Sequence, residues 1–346
     1  MKLSSRTAPH IRGGRSNRTV MLDMIVTLAA VYFMAWYYYG RRALILGAVS
    51  VAVCLAADHA CTLLRGRKPQ LLDLSAVVTG MLIPLMMPAS IPYRVPVVAG
   101  LFAICIVKQA FGGLGNNIFN PAAVGVAFAI VCWGGTMFAY PTPFTPLETV
   151  GNVSALLTSG PAYTLYVGGV PRLDAGTLLQ GVIAGPMGTT NVLVIAACGL
   201  YLAARRTIHF LQPLLMLGTV ALCSLLFPRG MSEGLTSVVN ELFFTPVVFF
   251  GVFLFTDPVT TPIRGVAKGL YAVFSGILCV LLTRFGGYEM MFPFALLLMN
   301  AFVPLFDLAA EAYCTRERRR AYEKAGEHAS NDFGPDDDEA APEAQG

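Results

Sequence analysis

Residues 111–125 read FGGLGNNIFNPAAVG, and this stretch interrupts a part of the chain that is otherwise apolar. Three glycines, three asparagines and a proline lie between the hydrophobic runs 95–111 and 122–139. In lipid, irregular backbone persists only where it is buried in protein or lines a polar cavity, because unsatisfied N–H and C=O groups are costly there. A second interruption, FTDPVTTPIR at 255–264, follows another apolar run. Paired interruptions in two halves of a membrane protein indicate a binding site inside the membrane, and ordinary interhelical loops are the alternative.

The composition supports a membrane protein. Of the 346 residues 55% are hydrophobic and only 13% are charged, whereas a soluble domain has about 25% charged residues. A transmembrane helix needs roughly 20 apolar residues. We therefore predict an all-α polytopic membrane protein of about ten transmembrane helices. The apolar runs are 21–39, 43–64, 72–88, 95–111, 122–139, 191–204, 208–227, 241–255, 269–285 and 290–309.

The positions of the basic residues orient these spans. With ten spans and a cytoplasmic N-terminus, 18 of the 24 Lys and Arg residues fall in cytoplasmic segments. The positive-inside rule therefore predicts that both termini are cytoplasmic. The six basic residues on the outer side are Arg41, Arg42, Arg94, Arg172, Arg229 and Arg284.

This topology divides the chain into five segments. We predict a cytoplasmic N-terminal segment at 1–20, a first membrane half at 21–139, an outer-face loop at 140–190, a second membrane half at 191–310 and a cytoplasmic, largely disordered tail at 311–346. The tail after residue 325 is acidic and poor in hydrophobic residues, which is typical of disorder. Within the outer loop, 181–190 is apolar and is interpreted as a re-entrant stretch or the start of the next span.

Soluble-enzyme motifs are missing from the sequence. There is no dinucleotide- or ATP-binding glycine motif, no HExxH and no basic-aromatic patch for nucleic acid, so no catalytic or metal-ligating residue is predicted. The eight cysteines include no C-x-x-C pair, and we interpret them mainly as small buried residues. The alternative is a pair that meets across helices to hold a metal.

Five segments together resemble one family. They are APHIRGGRSNRTVMLD at 8–23, DLSAVVTGMLIPLMMP at 73–88, KQAFGGLGNNIFNPAAVG at 108–125, FLFTDPVTTP at 253–262 and FGGYEMMFPFALLLMNAFVPLFD at 285–307. In this order they resemble the D subunit of the Rnf electron-transport complex and, less closely, the B subunit of the sodium-pumping NADH:quinone reductase.

The resemblance implies a fold and a function. It implies two inverted five-helix repeats, similar to urea transporters, in a bacterial inner (cytoplasmic) membrane. It also implies FMN linked through its phosphate to a threonine by a separate flavin transferase, and a second, non-covalent flavin, riboflavin. Partner subunits of the A, B, C, E and G types would complete a complex that passes electrons between ferredoxin, NADH or quinone and moves Na⁺ or H⁺. The chain would not be active alone.

The resemblance also points to an attachment residue. The family's flavin-bearing threonine lies in a pattern near [ST]-G-A-T-P-L, and the best match here is TPFTPLET at 142–149, which makes Thr145 the FMN site. Pro143 and Phe144 stand where the family has small residues, and a bulky Phe144 would hinder a transferase that needs a slim backbone. The competing hydroxyls are those of Thr149, Thr158 and Thr164, and a chain without covalent flavin is the remaining alternative.

A flavin at Thr145 would need a surface on which to pack. We predict that its isoalloxazine packs on the first interruption and that the amides there hydrogen-bond its polar edge. The predicted contacts are Gly112, Gly113, Asn116, Asn117 and Asn120.

Asp257 is the candidate residue of the second interruption. A carboxylate at membrane depth often marks an ion path, and threonine hydroxyls such as that of Thr260 add the oxygen ligands that a small cation prefers. The alternative is a helix cap, in which the carboxylate binds free N–H groups at the break.

Two other functions fit the same fold. One is a channel or carrier for a small solute that uses the two interruptions without redox chemistry. The other is a scaffold subunit that lacks flavin but docks partner subunits. The presence of flavin distinguishes the redox function from both.

Overall fold

The computed structural model describes residues 17–66, 74–113, 115–149, 151, 153, 155–171, 173–229 and 234–332, the side chains of 318–332 excepted. In this part of the chain the protein is almost entirely helical, with one antiparallel ribbon in which Tyr140 pairs with Thr158. The elements are α1 (Asn17–Tyr39), α2 (Arg41–Leu64), α3 (Ser75–Leu85), α4 (Arg94–Leu101), the π-helical segment π1 (Phe102–Gln109), α5 (Pro121–Met137), β1 (Tyr140–Pro141), β2 (Leu157–Thr158), α6 (Pro161–Tyr166), α7 (Ala175–Gln180), α8 (Val192–Ala204), α9 (Leu211–Leu226), α10 (Gly234–Phe244), α11 (Val247–Phe249), π2 (Phe250–Leu254), α12 (Gly265–Phe285) and α13 (Phe292–Asp332).

Several of these helices are long and apolar enough to cross a membrane. Within the described residues there are four: α1, α2, α12 and the Phe292–Glu317 part of α13. The pair α10 and α11–π2 qualifies as a fifth if it is counted as one span with a bend of 66°. The protein is therefore a multi-pass helical membrane protein.

The helix ends meet at two faces of the bundle. We call the face at which α1 begins the near face and the opposite one the far face. At the near face Asp23 of α1 binds Arg205 after α8 at 3.1 Å, and Arg65 after α2 donates to the carbonyl of Gln109 in π1 at 2.8 Å. The start of α1 therefore lies beside the ends of α2, π1 and α8.

The far face is defined by a second set of contacts. Asn191, just before α8, donates to the hydroxyl of Tyr38 near the end of α1 at 2.8 Å. Arg229, which follows α9, donates to the carbonyl of Thr283 in α12 at 2.9 Å. Successive long elements consequently run in alternating directions between the faces.

Two of the predicted spans are interrupted in the structure. In the run 72–88 the helix α3 covers only Ser75–Leu85, and residues 86–93 are non-helical but mostly buried. The run 241–255 breaks at Thr245 and Pro246, because proline supplies no N–H to continue the α10 hydrogen-bond ladder. Because these helices are short, fewer helices are long enough to cross a membrane by themselves than there are apolar runs in the sequence.

The stretch 181–190 is neither a span nor the start of α8. It is irregular and mostly buried, and its backbone pairs with the end of α3. The N–H of Met187 donates to the carbonyl of Met87 at 3.0 Å, and the N–H of Gly188 donates to that of Leu85 at 2.9 Å. These bonds satisfy backbone groups that the lipid could not satisfy.

Arg42 is buried rather than exposed in an outer loop. It is 0% exposed, and its guanidinium donates to the carbonyls of Ala89 (2.8 Å), Ile91 (3.1 Å), Glu148 (2.6 Å) and Gly151 (3.4 Å). One side chain therefore ties the non-helical segment 86–93 to the loop after β1.

The C-terminal part differs from the predicted largely disordered tail at 311–346. Helix α13 continues from the bundle through Asp332, because the sequence between 311 and 327 is rich in Glu, Lys, Arg and Ala, which favour helix even without apolar neighbours. Residues 333–346 lie outside the described residues, as do residues 1–16 of the predicted N-terminal segment.

Candidate functional site

A cleft opens at the near face and brings the two interruptions together. Its volume is about 670 Å³, and its polar lining includes Ser75, Lys108, Asn117, Asn120 and Asp257. The paired interruptions are thus neighbours in space although they lie 137 residues apart. The cleft therefore lies where the two interruptions meet.

One hydrogen bond joins the interruptions directly. The Asn120 amide nitrogen donates to Oδ2 of Asp257 at 3.0 Å, and its amide oxygen accepts from the N–H of Ala123 at 3.2 Å as the N-cap of α5. Asn120 therefore fixes the start of α5 and the orientation of the Asp257 carboxylate at once.

Asp257 organises its own loop as well. Its Oδ1 accepts from the N–H of Val259 at 3.2 Å and its Oδ2 accepts from the hydroxyl of Thr260 at 3.0 Å. The N-cap position of α12 is Arg264, so Asp257 forms a local side-chain turn and does not cap that helix. The carboxylate is half-buried and lines the cleft, with Thr260 beside it as predicted.

Lys108 is a cleft residue that the sequence analysis did not propose as a site residue. Its side chain is 2% exposed and its ammonium lies 3.0 Å from Oδ1 of Asp58. The amide of Gln109 donates to the same carboxylate oxygen at 2.6 Å. The signal in the sequence was a lysine inside the apolar run 95–111, since an ionisable group at membrane depth is expensive.

The remaining predicted residues of the first interruption have different positions. Asn117 is buried in the cleft wall, whereas Asn116 is exposed and outside it. Gly112 and Gly113 have φ of 119° and 98°, a region that L side chains rarely adopt. These two glycines therefore shape the loop backbone and are not among the residues that line the cleft.

Thr145 lies at the far face, in a tight turn. The N–H of Thr145 donates to the carbonyl of Thr142 at 3.2 Å, and the two hydroxyls are 2.5 Å apart. Pro143 and Phe144 occupy the central positions, and the φ of 64° at Phe144 is the pattern of a type II turn. The Thr145 side chain is half-buried.

The turn and the segment after it are both anchored. Within the turn, the N–H of Phe144 donates to the carbonyl of Tyr38 at 2.8 Å, and the Phe144 ring packs edge-on against Tyr37 with centroids 5.3 Å apart. After it, Arg42 holds the carbonyl of Glu148 and the Tyr93 hydroxyl donates to the carbonyl of Thr149. The Phe144 ring is thus directed onto α1, and Thr145 is held at a fixed position on the surface.

The competing threonines differ in their surroundings. Thr158 lies in β2, and its hydroxyl donates to the carbonyl of Tyr140 at 3.4 Å. Thr164 is half-buried in the short helix α6. Thr149 is exposed beside the turn.

The structure does not bring Thr145 and the asparagines together. Helix α5 separates them, with Asn120 at its start on the near face and Thr145 a few residues beyond its end on the far face. Its 17 residues span about 25 Å at 1.5 Å per residue. A flavin on Thr145 would therefore have its immediate neighbours in β1 and α1 and not in the cleft.

Metal ligation has little support in the described residues. No group of three or more His, Cys, Asp or Glu side chains comes together in that part of the chain. Two cysteines do meet across helices, with the sulfurs of Cys61 in α2 and Cys105 in π1 3.5 Å apart.

Comparison with known proteins decides the family. The sequence profile of the NQR2, RnfD, RnfE family matches residues 4–314. This chain belongs to that family. The expected resemblance is therefore confirmed over nearly all of the membrane part.

Individual relatives agree with this assignment. The D subunit of the Na(+)-translocating ferredoxin:NAD(+) oxidoreductase complex of Acetobacterium woodii is 33% identical, covering 89% of this chain and 93% of the relative. The D subunit of the proton-translocating ferredoxin:NAD(+) oxidoreductase complex of Clostridium ljungdahlii is 29% identical, covering 87% and 92%. The D subunit of the ion-translocating oxidoreductase complex of Actinobacillus succinogenes is 29% identical, covering 88% and 95%.

Proposed function

We propose that this chain is the D-type membrane subunit of an Rnf-like, redox-driven ion-translocating complex. It takes part in electron transfer between ferredoxin or quinone and NAD and in the coupled movement of Na⁺ or H⁺. The observation that carries this proposal is the family match over residues 4–314, with relatives that are named as the D subunits of such complexes. Subunits of the A, B, C, E and G types are the proposed partners.

We propose further that FMN is attached to Thr145 by a flavin transferase. A phosphoester needs a hydroxyl that the transferase can reach, and the turn 142–145 presents that hydroxyl at the surface between two anchored segments. Phe144, the residue that departs most from the family pattern, packs onto α1 and leaves Thr145 half-exposed. The residues that fit the group are therefore Thr145 with its neighbours in β1 and at the end of α1. When bound, the flavin supplies one- and two-electron chemistry.

The near-face cleft is the proposed ion site. Asp257 places its carboxylate in the lining of a cleft that also contains polar side chains, with the Thr260 hydroxyl beside it, and Asn120 fixes the carboxylate. Such ligands suit a small cation. Riboflavin remains a predicted second cofactor without an assigned pocket.

The proposed topology has ten spans, with both termini and the near face in the cytoplasm of a bacterial inner membrane. The alternating helix directions support it, as does the excess of Lys and Arg in the near-face segments. Two inverted repeats, 21–139 and 191–310, are joined by the far-face loop 140–190.

The decisive experiment is in-gel ultraviolet fluorescence of the denatured protein after co-expression with its flavin transferase. We expect a fluorescent band for the parent chain and none for Thr145→Ala. Thr142→Ala is the matched control, because it removes the neighbouring hydroxyl of the same turn and should keep the band. A band that persists in Thr145→Ala contradicts Thr145 and directs attention to Thr149, Thr158 or Thr164. No band in the parent favours the solute-carrier or scaffold function.

A further inference from the structure

A second cavity lies at the far face, and neither Thr145 nor any residue of the near-face cleft is part of its lining. Its volume is about 350 Å³, and it lies between the irregular stretch 181–190, the break after α10 and the connection from α12 to α13. Glu289 lies in that connection, outside the helices, and its side chain is only 4% exposed. The hydroxyl of Tyr140 in β1 donates to its Oε1 at 2.7 Å.

The other carboxylate oxygen has no such contact. Within the part of the chain that the structure describes, no donor reaches Oε2 of Glu289. The hydroxyl oxygen of Thr190, which lines the same cavity, likewise has no partner among those residues. A buried carboxylate oxygen without a partner is costly, and a proton or a bound cation removes that cost. The cavity therefore contains ligands for a small cation.

The charges around Glu289 are arranged so that no cation neutralises it completely. Arg229, after α9, attracts it from a distance, but its guanidinium is engaged by Glu241 of α10 at 3.7 Å and by the Thr283 carbonyl. Arg284 of α12 acts on Glu241, and on the other side Tyr140 separates Glu289 from Tyr39. Burial raises the pKa of Glu289 to about 7, with the Tyr140 hydrogen bond and Arg229 opposing that rise.

The two carboxylates lie on opposite faces of the helix bundle. Asp257 follows π2 at the near face, and Glu289 follows α12 at the far face. The elements beside them pack through buried aromatic rings, since Phe250 of π2 stacks on Phe292 of α13 with ring centroids 5.5 Å apart. Helix α12 connects the two ends over 21 residues, or about 30 Å.

We propose that Glu289 is a binding site for a monovalent cation, H⁺ or Na⁺, at the far face. The cation enters from the cavity and binds the Glu289 carboxylate, and the Thr190 hydroxyl is a second oxygen ligand. The site itself depends only on this geometry, whereas its place as the far-face counterpart of Asp257 rests on the proposed function.

The test measures protonation directly in the purified full chain in lipid nanodiscs. Infrared difference spectra are recorded across a pH titration, and the carbonyl band of a protonated carboxylic acid is followed. We expect a band with its midpoint within about one unit of pH 7 that disappears in Glu289→Gln. Glu148→Gln is the control, because that side chain is exposed on the same face and should leave the band unchanged.

Tyr140→Phe provides a second test that does not alter the carboxylate. The tyrosine hydrogen bond stabilises the charged form, so its removal should move the midpoint to higher pH. Repeating the titration with added Na⁺ distinguishes the two cations. A midpoint that falls as Na⁺ is added identifies sodium as a competing ligand, and an unchanged midpoint identifies the proton alone.

Two results would overturn the proposal. One is a spectrum without any Glu289-dependent band near neutral pH. The other is a midpoint that Tyr140→Phe leaves unchanged, and this variant keeps the test valid if Glu289→Gln fails to fold. Neither result depends on flavin, on partner subunits or on ion transport. A failure here is therefore separable from a failure of the proposed function.

Discussion

Single residues explain how this chain keeps irregular backbone inside a membrane domain. Arg42 binds carbonyls of two separate segments, and Asn120 caps α5 while it holds Asp257. In both cases one side chain satisfies groups that a helix would have satisfied by itself. The irregular segments are therefore fixed parts of the structure.

Arg42 provides the clearest prediction at this scale. Arg42→Gln leaves buried carbonyls of Ala89, Ile91 and Glu148 short of donors, and we expect a loss of about 2–4 kcal/mol in the free energy of unfolding. SDS-induced unfolding in mixed micelles measures it. Arg41→Gln, at the exposed neighbouring position, should change stability by less than about 0.5 kcal/mol. Equal effects of the two substitutions would contradict the role assigned to Arg42.

A substitution at Asp257 can distinguish a role in ion transport from a purely structural role. Asp257→Asn preserves the size and most hydrogen bonds of the side chain but removes its charge, so we expect a folded complex with strongly reduced ion transport. Ion uptake into proteoliposomes of the assembled complex measures the effect. Asp307→Asn is the control, because Asp307 accepts hydrogen bonds from the N–H of Ile263 and lies outside the cleft. Normal transport by Asp257→Asn would exclude this carboxylate from the ion path.

The sequence indicated some of these residues and not others. Asn120 and Asp257 were detectable because each stands in a polar interruption of an apolar run. Arg42, Lys108 and Glu289 acquire their meaning from partners 47 to 149 residues away. Without the fold, Arg42 and Glu289 look like ordinary charges near helix ends, and only the position of Lys108 inside an apolar run marks it as unusual.

At the scale of elements, the apolar runs predict where helices occur but not how long each helix is. Each of the ten runs contains a helix, whereas α3 and α10 stop early. The non-helical stretch 86–93 begins inside an apolar run, and 181–190 mixes apolar residues with glycine, proline and threonine, so composition alone did not show how either stretch folds. Their backbone partners are each other and Arg42.

Gly188 tests the contact between these stretches. A Cβ at this position would lie 2.6 Å from the Cβ of Leu85, so Gly188→Ala should cost about 1–3 kcal/mol through overpacking. Gly218→Ala is the matched control in α9, where a Cβ meets nothing within 4 Å and should add about 0.5–1 kcal/mol of stability. Thermal unfolding in detergent compares the two, and a stable Gly188→Ala protein would mean that 181–190 is not packed on α3.

At the scale of the whole molecule, charge and span count predicted an arrangement that the helix contacts also support. The alternation of directions from α1 to α13 follows from contacts at the two faces, which owe nothing to the positive-inside rule. The separation of Thr145 from the cleft was not predicted. It follows from the length of α5, and the sequence alone does not say which sites share a face.

Accessibility labelling tests the proposed orientation. Single cysteines at Leu156 and Ile263, which are 82% and 86% exposed on opposite faces, are introduced into a chain whose native cysteines are replaced by Ala. We expect a membrane-impermeant maleimide to label position 156 in spheroplasts and position 263 only after permeabilisation. The reverse pattern would invert the topology and place the near face outside.

The burial of Arg42 also has a consequence for biosynthesis. This arginine enters with the α1–α2 hairpin, yet two of its four acceptor carbonyls belong to Glu148 and Gly151, more than 100 residues later. When only the first 140 residues have been synthesised, Arg42 is present but two of its four acceptor carbonyls are still missing. Insertion of the early hairpin is therefore completed only when the turn that carries Thr145 has emerged. The folding of the loop after β1 is thereby linked to the folding of the first membrane half.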